Sequence, residues 1–312
     1  MSFLVIGECV ADIVRAPGVA DRVHPGGSPA NVAYGLGRLG RDVTLLTQLA
    51  DDPAGRLIGD HLGSAGVRVE VGGVPDRTPS AIVGLDAEGR ASYAFDIAWT
   101  LEAPLARPAP APTHVHIGSI AAVTEPGAAA VRALVEEFRG RALVSYDPNV
   151  RPALMGDRAG AVPRVERCVA LGDLVKASDE DLAWLYPGES PEAVAARWLG
   201  LGPALVMVTR GAEGSLAFTR RATVSADAPA VPVVDTVGAG DSFMAAVLHG
   251  LAPRTSAQLA GLGAEHLAGL LRRAAAAAAF TVARAGARLP DRAELDAAGA
   301  EFDFVVRHVR GS

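Results

Sequence analysis

Asp235-Thr236-Val237-Gly238-Ala239-Gly240-Asp241 is the stretch of this 312-residue chain whose residue types and spacing could do the most chemistry. Gly238, Ala239 and Gly240 let the backbone turn tightly and come close to a ligand. The apolar run after them, Ser242-Phe243-Met244-Ala245-Ala246-Val247-Leu248, reads as a buried helix. Unpaired N–H groups at such a helix start, with the positive end of its dipole, form an anion site. A carboxylate there repels a bound phosphate. Asp241 is better placed to take the proton of an alcohol attacking a phosphoryl group held by those amides. Taken alone, the same letters equally describe a glycine-rich cap with a favourable first-turn acid.

Other stretches add polar groups at places where ligands bind. Asp12 follows the first predicted strand, and a carboxylate at the carboxyl end of a parallel strand faces the ligand edge of an α/β sheet, where its oxygens suit sugar hydroxyls. In Pro25-Gly26-Gly27-Ser28-Pro29-Ala30-Asn31, Ser28 can cap a helix with Pro29 at its first position, and Asn31 offers an amide to a hydroxylated ligand. Arg151, in Asp147-Pro148-Asn149-Val150-Arg151, could grip phosphate with its fork. Lys176 to Asp181 sets a cation and acids on a strand-to-helix turn, a pattern that an ordinary N-cap also satisfies. Thr209 to Gly214 reads as a strand end, a tight turn and a hairpin start.

Two further patterns point to structure. His114 and His116 have same-face strand spacing but no third ligand nearby, so a structural role is expected. Gly35-Leu36-Gly37-Arg38-Leu39-Gly40, with Asp60 after it, matches a dinucleotide fingerprint in letters only. That fingerprint follows a strand and opens a helix, whereas this one continues a helical run and precedes a strand. Its glycines are expected to serve helix packing and termination.

Short apolar runs at 3–6, 43–48, 113–117, 142–146, 174–176 and 205–209 alternate with helical patterns near 29–39, 53–65, 127–139, 161–170, 179–186, 191–200, 239–250 and 268–284. This rhythm predicts one α/β domain with a doubly wound, mostly parallel sheet flanked by helices. Residues 11–27 and 67–100 break it with period-two patterns around an Asp86-Ala87-Glu88-Gly89 turn, and read as a small antiparallel β-sheet lid. Residues 107–112 form a stiff Pro-rich connector.

The net charge of −6 argues against nucleic acid or an anionic membrane as partner. Ala274 to Ala283 is about half of the ~20 apolar residues a membrane span needs, so it is expected to be a buried helix. The chain start lacks a basic, apolar and cleavage-site pattern, and Cys9 and Cys168 stand far apart; both features suit a cytoplasmic, reduced protein. Of the 29 basic residues only Lys176 is a lysine, and it lies in Val-Lys-Ala-Ser, so there is no Gly-Lys-Ser/Thr phosphate loop. Neither Val-Ala-Ile-Lys nor His-Arg-Asp occurs, which removes the protein-kinase set.

Read in order, Gly7-Glu8 with Asp12, Gly26-Gly27 with Asn31, Asp147-x-Asn149-x-Arg151, Thr209-x-Gly211-x-x-Gly214 and Asp235-Thr236-x-Gly238-Ala239-Gly240-Asp241 resemble the ribokinase-like (PfkB) carbohydrate kinases, from Phe3 to about Pro290. The resemblance implies a ribokinase-like fold and transfer of the ATP γ-phosphate to a sugar hydroxyl. It implies Asp241 as base and the amides of Gly238, Ala239 and Gly240 as an anion hole. Asp12, Gly26, Gly27, Asn31 and Arg151 would meet the sugar; Lys176, Ser178, Thr209, Gly211 and Gly214 would lie along the nucleotide. Asp235 and Thr236 would adjoin a monovalent cation, K⁺. Mg²⁺ would enter with ATP, with Asp181 associated with it. Paired lid sheets would make a homodimer.

The chain departs from the family pattern where Asn-x-x-Glu is expected and Ser178-Asp179-Glu180-Asp181 stands. It also lacks an Asn near Arg273-Ala274, and an Arg after Phe95-Asp96-Ile97-Ala98-Trp99. Gly7-Glu8, Asp147-Pro148-Asn149-x-Arg151 and Lys176-x-Ser178 look most like the fructokinase branch. A 2-keto-3-deoxygluconate kinase, a ribokinase or a nucleoside kinase shares much of the pattern. A non-catalytic sugar- or nucleotide-binding regulator, or an oxidoreductase resting on residues 35–40, are the readings from other classes.

Overall fold

The computed structural model describes residues 1–15, 20–85, 91–102, 111–252, 254–302 and 305–309. From the amino end, β1 (Ser2–Ile6) is followed by β2 (Val10–Arg15), β3 (Arg22–Gly26), β4 (Asp42–Thr47) and β5 (Arg68–Val71). Next come β6 (Ser80–Leu85), β7 (Ala91–Asp96), β8 (His114–Gly118), β9 (Leu143–Asp147), β10 (Leu174–Ser178) and β11 (Leu205–Thr209). The chain ends with β12 (Ser215–Phe218), β13 (Thr223–Ala226) and β14 (Val306–Val309).

Ten strands form one sheet in the order β14-β13-β12-β11-β10-β9-β8-β1-β4-β5, and the seven from β11 to β5 run parallel. Strands buried on both faces read as continuous apolar runs, and β1 shows this directly. Phe3 and Val5 join the apolar cluster on one side, with Leu36, Val43, Met244 and Leu271; Leu4 and Ile6 join the other, with Val115, Ile117, Val144 and Trp198. Helices cover both faces because the parallel crossovers place them there. Their starts carry recognisable caps: Asp52 accepts from the Gly55 amide, and Asp291 and Glu294 bond reciprocally.

The structure changes the expected layout in four places. The lid expected from residue 67 begins at β6, because β5 pairs with β4 as the edge of the main sheet. In the small sheet, ordered β3-β2-β6-β7, the outer pairs are antiparallel but β2 and β6 run parallel. The antiparallel extension through β12, β13 and β14, and the helix Arg292–Glu301, went unpredicted apart from the hairpin start at Gly214. The helix expected over 268–284 is Ala264–Val282, with Ala274, Ala276 and Ala277 buried. Among the described residues no helix is long and apolar enough to cross a membrane. The turn expected at Asp86–Gly89 and most of the connector, 107–110, lie outside the described residues.

The two histidines and two cysteines are structural. His114 stacks on Phe3 with ring centroids 4.6 Å apart, and Nδ1 of His116 lies 2.9 Å from Oγ of Ser145. Burial holds both rings neutral, lowering His114 to about 4 and His116 to about 3. Cys9 and Cys168 are free and buried, with burial raising each thiol to about 12.

Candidate active site

The strand order reverses beside β1: the chain builds outward through β4 and β5 on one side, then through β8, β9, β10 and β11 on the other. Open α/β sheets bind ligands at the carboxyl edge of such a switch point. Here that edge receives Glu8, Ser119, Asp147, Lys176 and Thr209. It also holds the two non-glycine residues with positive φ among the described residues, Ser119 at 53° and Asn149 at 37°. Strained backbone of this kind collects at working sites.

Asp241 sits in the first turn of the helix Ala239–Leu251 and is only 9 % exposed. The turn before it is possible because Gly238 adopts φ +78°, with a Cβ there falling 2.7 Å from Cβ of Ala287. Oδ1 of Asp241 accepts from Oγ of Ser28 at 2.7 Å, and Oδ2 accepts from Nδ2 of Asn31 at 2.8 Å. Burial raises the acid above its usual range, while those two bonds, Lys176 and Arg151 pull it back toward ionisation.

Both partners come from the helix Ser28–Arg38. It approaches closely because Gly35 is bare: a Cβ there would lie 2.9 Å from Cβ of Ala245 and 2.5 Å from Cδ2 of Leu289. The residues 35–40 thus pack and end a helix, as expected, and Gly40 closes it at φ +75°. The cap expected of Ser28 is corrected. Gly27 is the N-cap, without a side-chain cap bond, and the Ser28 hydroxyl turns to Asp241 instead. The hydroxyl donates to a buried carboxylate, a strong charged acceptor, rather than accepting from a helix amide.

Lys176 is the cation of the site. It is 4 % exposed, and Nζ donates to Oδ2 of Asp147 at 2.9 Å. A Cβ on Gly240 would stand 3.0 Å from the same Nζ, so the ammonium lies against the start of the Asp241 helix. Burial disfavours the ammonium, but Asp147, Asp181 and Asp241 outweigh it and hold its pKa above the ordinary value. Burial pushes Asp147 up to about 6.

The expected anion hole is narrower than its three residues. The amide of Ala239 donates to the Thr236 carbonyl at 3.2 Å, so Ala239 has no free N–H for an anion. The amides of Gly238, Gly240 and Asp241 meet no protein acceptor among the described residues. Asp12, on β2, packs its carboxylate where a Gly26 side chain would go, at 2.1 Å from the ideal Cβ position. Burial raises Asp12 to about 6, against the pull of His24 and Arg151. Arg151 is exposed, bonds among the described residues to nearby carbonyls (Val150 at 3.0 Å), and its charge reaches Glu8, Asp12 and Asp241.

The remaining predicted residues occupy the same edge. Thr209 lies in register with Ser178, and the turn after it places Gly211 at φ +50° and Gly214 at φ +89°. Asp181, expected to be associated with Mg²⁺, is anchored at a helix start. Its Oδ1 accepts from the Val150 amide and its Oδ2 from the Ser178 amide, both at 2.8 Å, while Ser178 caps the helix Asp179–Leu185 in return. Each oxygen takes one amide, which anchors the carboxylate at the start of that helix. Asp235 accepts from the amides of Val237 at 3.0 Å and Gly286 at 2.9 Å, joining two loops beside Thr236. Among the described residues, no group of three or more His, Cys, Asp or Glu is arranged to hold a metal ion.

Three residues of the site were absent from the predicted set: Ser28, Asp147 and Glu8. Glu8 is 3 % exposed, accepts from the Ala121 amide at 3.2 Å, and is raised by burial to about 7. Ser28 and Asn31 stand three apart on one helix face, a spacing that marks shared direction. The lone lysine carried the signal for Asp147, since a buried ammonium requires a carboxylate partner.

A buried carboxylate flanked by free amides and a buried ammonium, at the carboxyl edge of a parallel sheet, is an arrangement that can serve phosphoryl transfer to an alcohol. The model of the pfkB family carbohydrate kinases matches residues 2–294. The chain is 35% identical over 234 residues to a fructokinase of Rhizobium leguminosarum bv. trifolii, covering 73% of this chain and 72% of that protein. It superposes on a fructokinase with bound ATP from Xylella fastidiosa at a TM-score of 0.85, with 27% identity over 96% of this chain and 98% of the other. A fructokinase double mutant from Vibrio cholerae O395, holding fructose, ADP and a potassium ion, gives 0.81 and 26% over 95% and 97%. The chain belongs to the pfkB family of carbohydrate kinases.

Proposed function

We propose that this carbohydrate kinase transfers the γ-phosphate of ATP to a hydroxyl of fructose, with Asp241 as the base. The observation that carries the reading is Asp241 itself: a buried acid in a first helical turn, beside free amides and opposite Lys176. The likeness to fructokinases across most of the chain supports fructose as acceptor.

In this reading the sugar lies between the small sheet and the main sheet. Asp12, Asn31 and the backbone at Gly26 and Gly27 hold its hydroxyls. Arg151, exposed and near the acids, meets the sugar or the phosphate that reaches it. The nucleotide lies along the edge formed by Lys176, Ser178, Thr209, Gly211 and Gly214. Asp241 takes the proton of the attacking hydroxyl, and the amides of Gly238 and Gly240 with the Lys176 ammonium meet the charge on the moving phosphoryl group.

Mg²⁺ arriving with ATP would supply charge neutralisation on the phosphates and would be held largely through those phosphates and water. Asp235 and the Thr236 region suit K⁺, because each oxygen of Asp235 takes one amide and keeps a lone pair. Two copies joined through their small sheets form the dimer of this proposal.

The test is ATP-dependent phosphorylation across fructose, 2-keto-3-deoxygluconate, ribose and a nucleoside. Fructose is expected to give the highest kcat/KM. A higher value with another acceptor reassigns the substrate, and transfer to none of them favours a binding protein on a kinase scaffold.

A further inference from the structure

Ser28 is the residue nearest the base that no sugar or nucleotide role explains. Its Oγ lies 2.7 Å from Oδ1 of Asp241, it is itself buried, and it does not cap its own helix. The helix is held in place at Gly35, against Ala245 and Leu289, and by a bridge of 2.8 Å from Arg38 to Glu294. The hydroxyl is therefore presented to Asp241 by packing, before any ligand enters.

The groups facing Asp241 differ in kind. Asp12 on β2 and Asp147 on β9 are acids that disfavour its ionisation, Lys176 on β10 and Arg151 beyond β9 are cations that favour it, and Ser28 and Asn31 are neutral donors. Lys176 is already paired with Asp147, and Arg151 is exposed to solvent. A buried carboxylate stays ionised only where hydrogen bonds replace its lost water. Asn31 has a second duty in the proposed reaction, toward the sugar. Ser28 has none.

We propose that Ser28 is a positioning residue for the base: its hydroxyl, held in place by packing, donates to the Asp241 carboxylate and so keeps it ionised until the acceptor hydroxyl arrives. This rests on the reading of Asp241 as the base. A donor lacking net charge does so without binding the proton acceptor as tightly as a cation would, so basicity is preserved for catalysis.

The experiment compares kcat/KM for ATP and fructose against pH in the wild type, Ser28→Ala and Asp241→Asn. Ser28→Ala should lose about tenfold at the acidic end, the worth of one hydrogen bond to a charged acceptor. The loss should shrink as pH rises, because the base then ionises without help. A loss that is constant with pH, or no loss, overturns the proposal, provided the melting temperature shows the variant folded. An active Asp241→Asn removes the base reading and this proposal with it. An inactive Asp241→Asn beside a pH-independent Ser28→Ala removes the proposal alone.

Discussion

Gly35-Leu36-Gly37-Arg38-Leu39-Gly40 and Gly238-Ala239-Gly240-Asp241 belong to two helices that pack against each other, yet their glycines work at opposite ends. In the first stretch they sit inside and after a helix, where Gly35 lets Ala245 come within reach and Gly40 ends the run. In the second they stand before and at a helix start, where Gly238 turns the chain and Gly240 leaves room for the Lys176 ammonium. Glycine allows close approach in both. What approaches is decided by position along the helix: amides beyond the first turn already donate to the helix's own carbonyls, whereas those at its start do not. The first stretch still serves the second, because the closeness at Gly35 brings Ser28 and Asn31 onto Asp241.

The most severe way to break this division is Asp241→Asn. It removes the proton acceptor while keeping size and hydrogen bonding, so turnover should fall on the order of 10²–10⁴-fold with the fold intact. Steady-state kinetics with a thermal melt checks it, and near-normal turnover would refute the assignment.

A paired substitution sharpens the contrast. Gly240→Ala meets the flexible end of Lys176, so the melt should hold while kcat falls by up to about 10²-fold, the cost of a displaced charge near the reacting group. Gly35→Ala meets Cβ of Ala245, which cannot move without its helix, so stability should drop by about 1–3 kcal/mol from overpacking. If both variants lose stability alike, the two stretches are not functionally distinct.

The smallest effect concerns Glu8, outside both stretches. Its carboxyl is raised by burial from 4.5 to about 7, so the folded state binds its proton more tightly than the unfolded chain. That stability is fully present below about pH 4.5 and is lost as pH rises through about 7. Glu8→Gln keeps an acceptor for the Ala121 amide and should flatten this part of the pH–stability curve. An unchanged slope, measured by denaturant unfolding, would show that Asp12 or Asp147 governs the window instead.

Much of the site was legible because its chemistry is local. The glycine turn and Asp241 are contiguous, and strand–helix alternation places Arg151, Lys176 and Thr209 on one edge, whereas Asp12, expected at that edge after the first strand, lies within β2 of the small sheet. The pairs were harder to read. Asp181 was expected to be associated with Mg²⁺, and only the tertiary structure shows its carboxylate tied to the amides of Ser178 and of Val150, the latter a contact across 31 residues. Residues 67–71 looked like part of the lid, and only pairing with β4 put them in the main sheet.

Residue types and their order determined the alternation of strands and helices, the anion-binding turn and the acid within it, because each depends on neighbours a few positions away. Tertiary structure decided that Ser28 faces Asp241, separated by 213 residues, that Lys176 pairs with Asp147, and that the Ala239 amide is already occupied. The physical reason is that hydrogen bonds and ion pairs act over a few ångströms of space, and only packing of distant segments sets those distances.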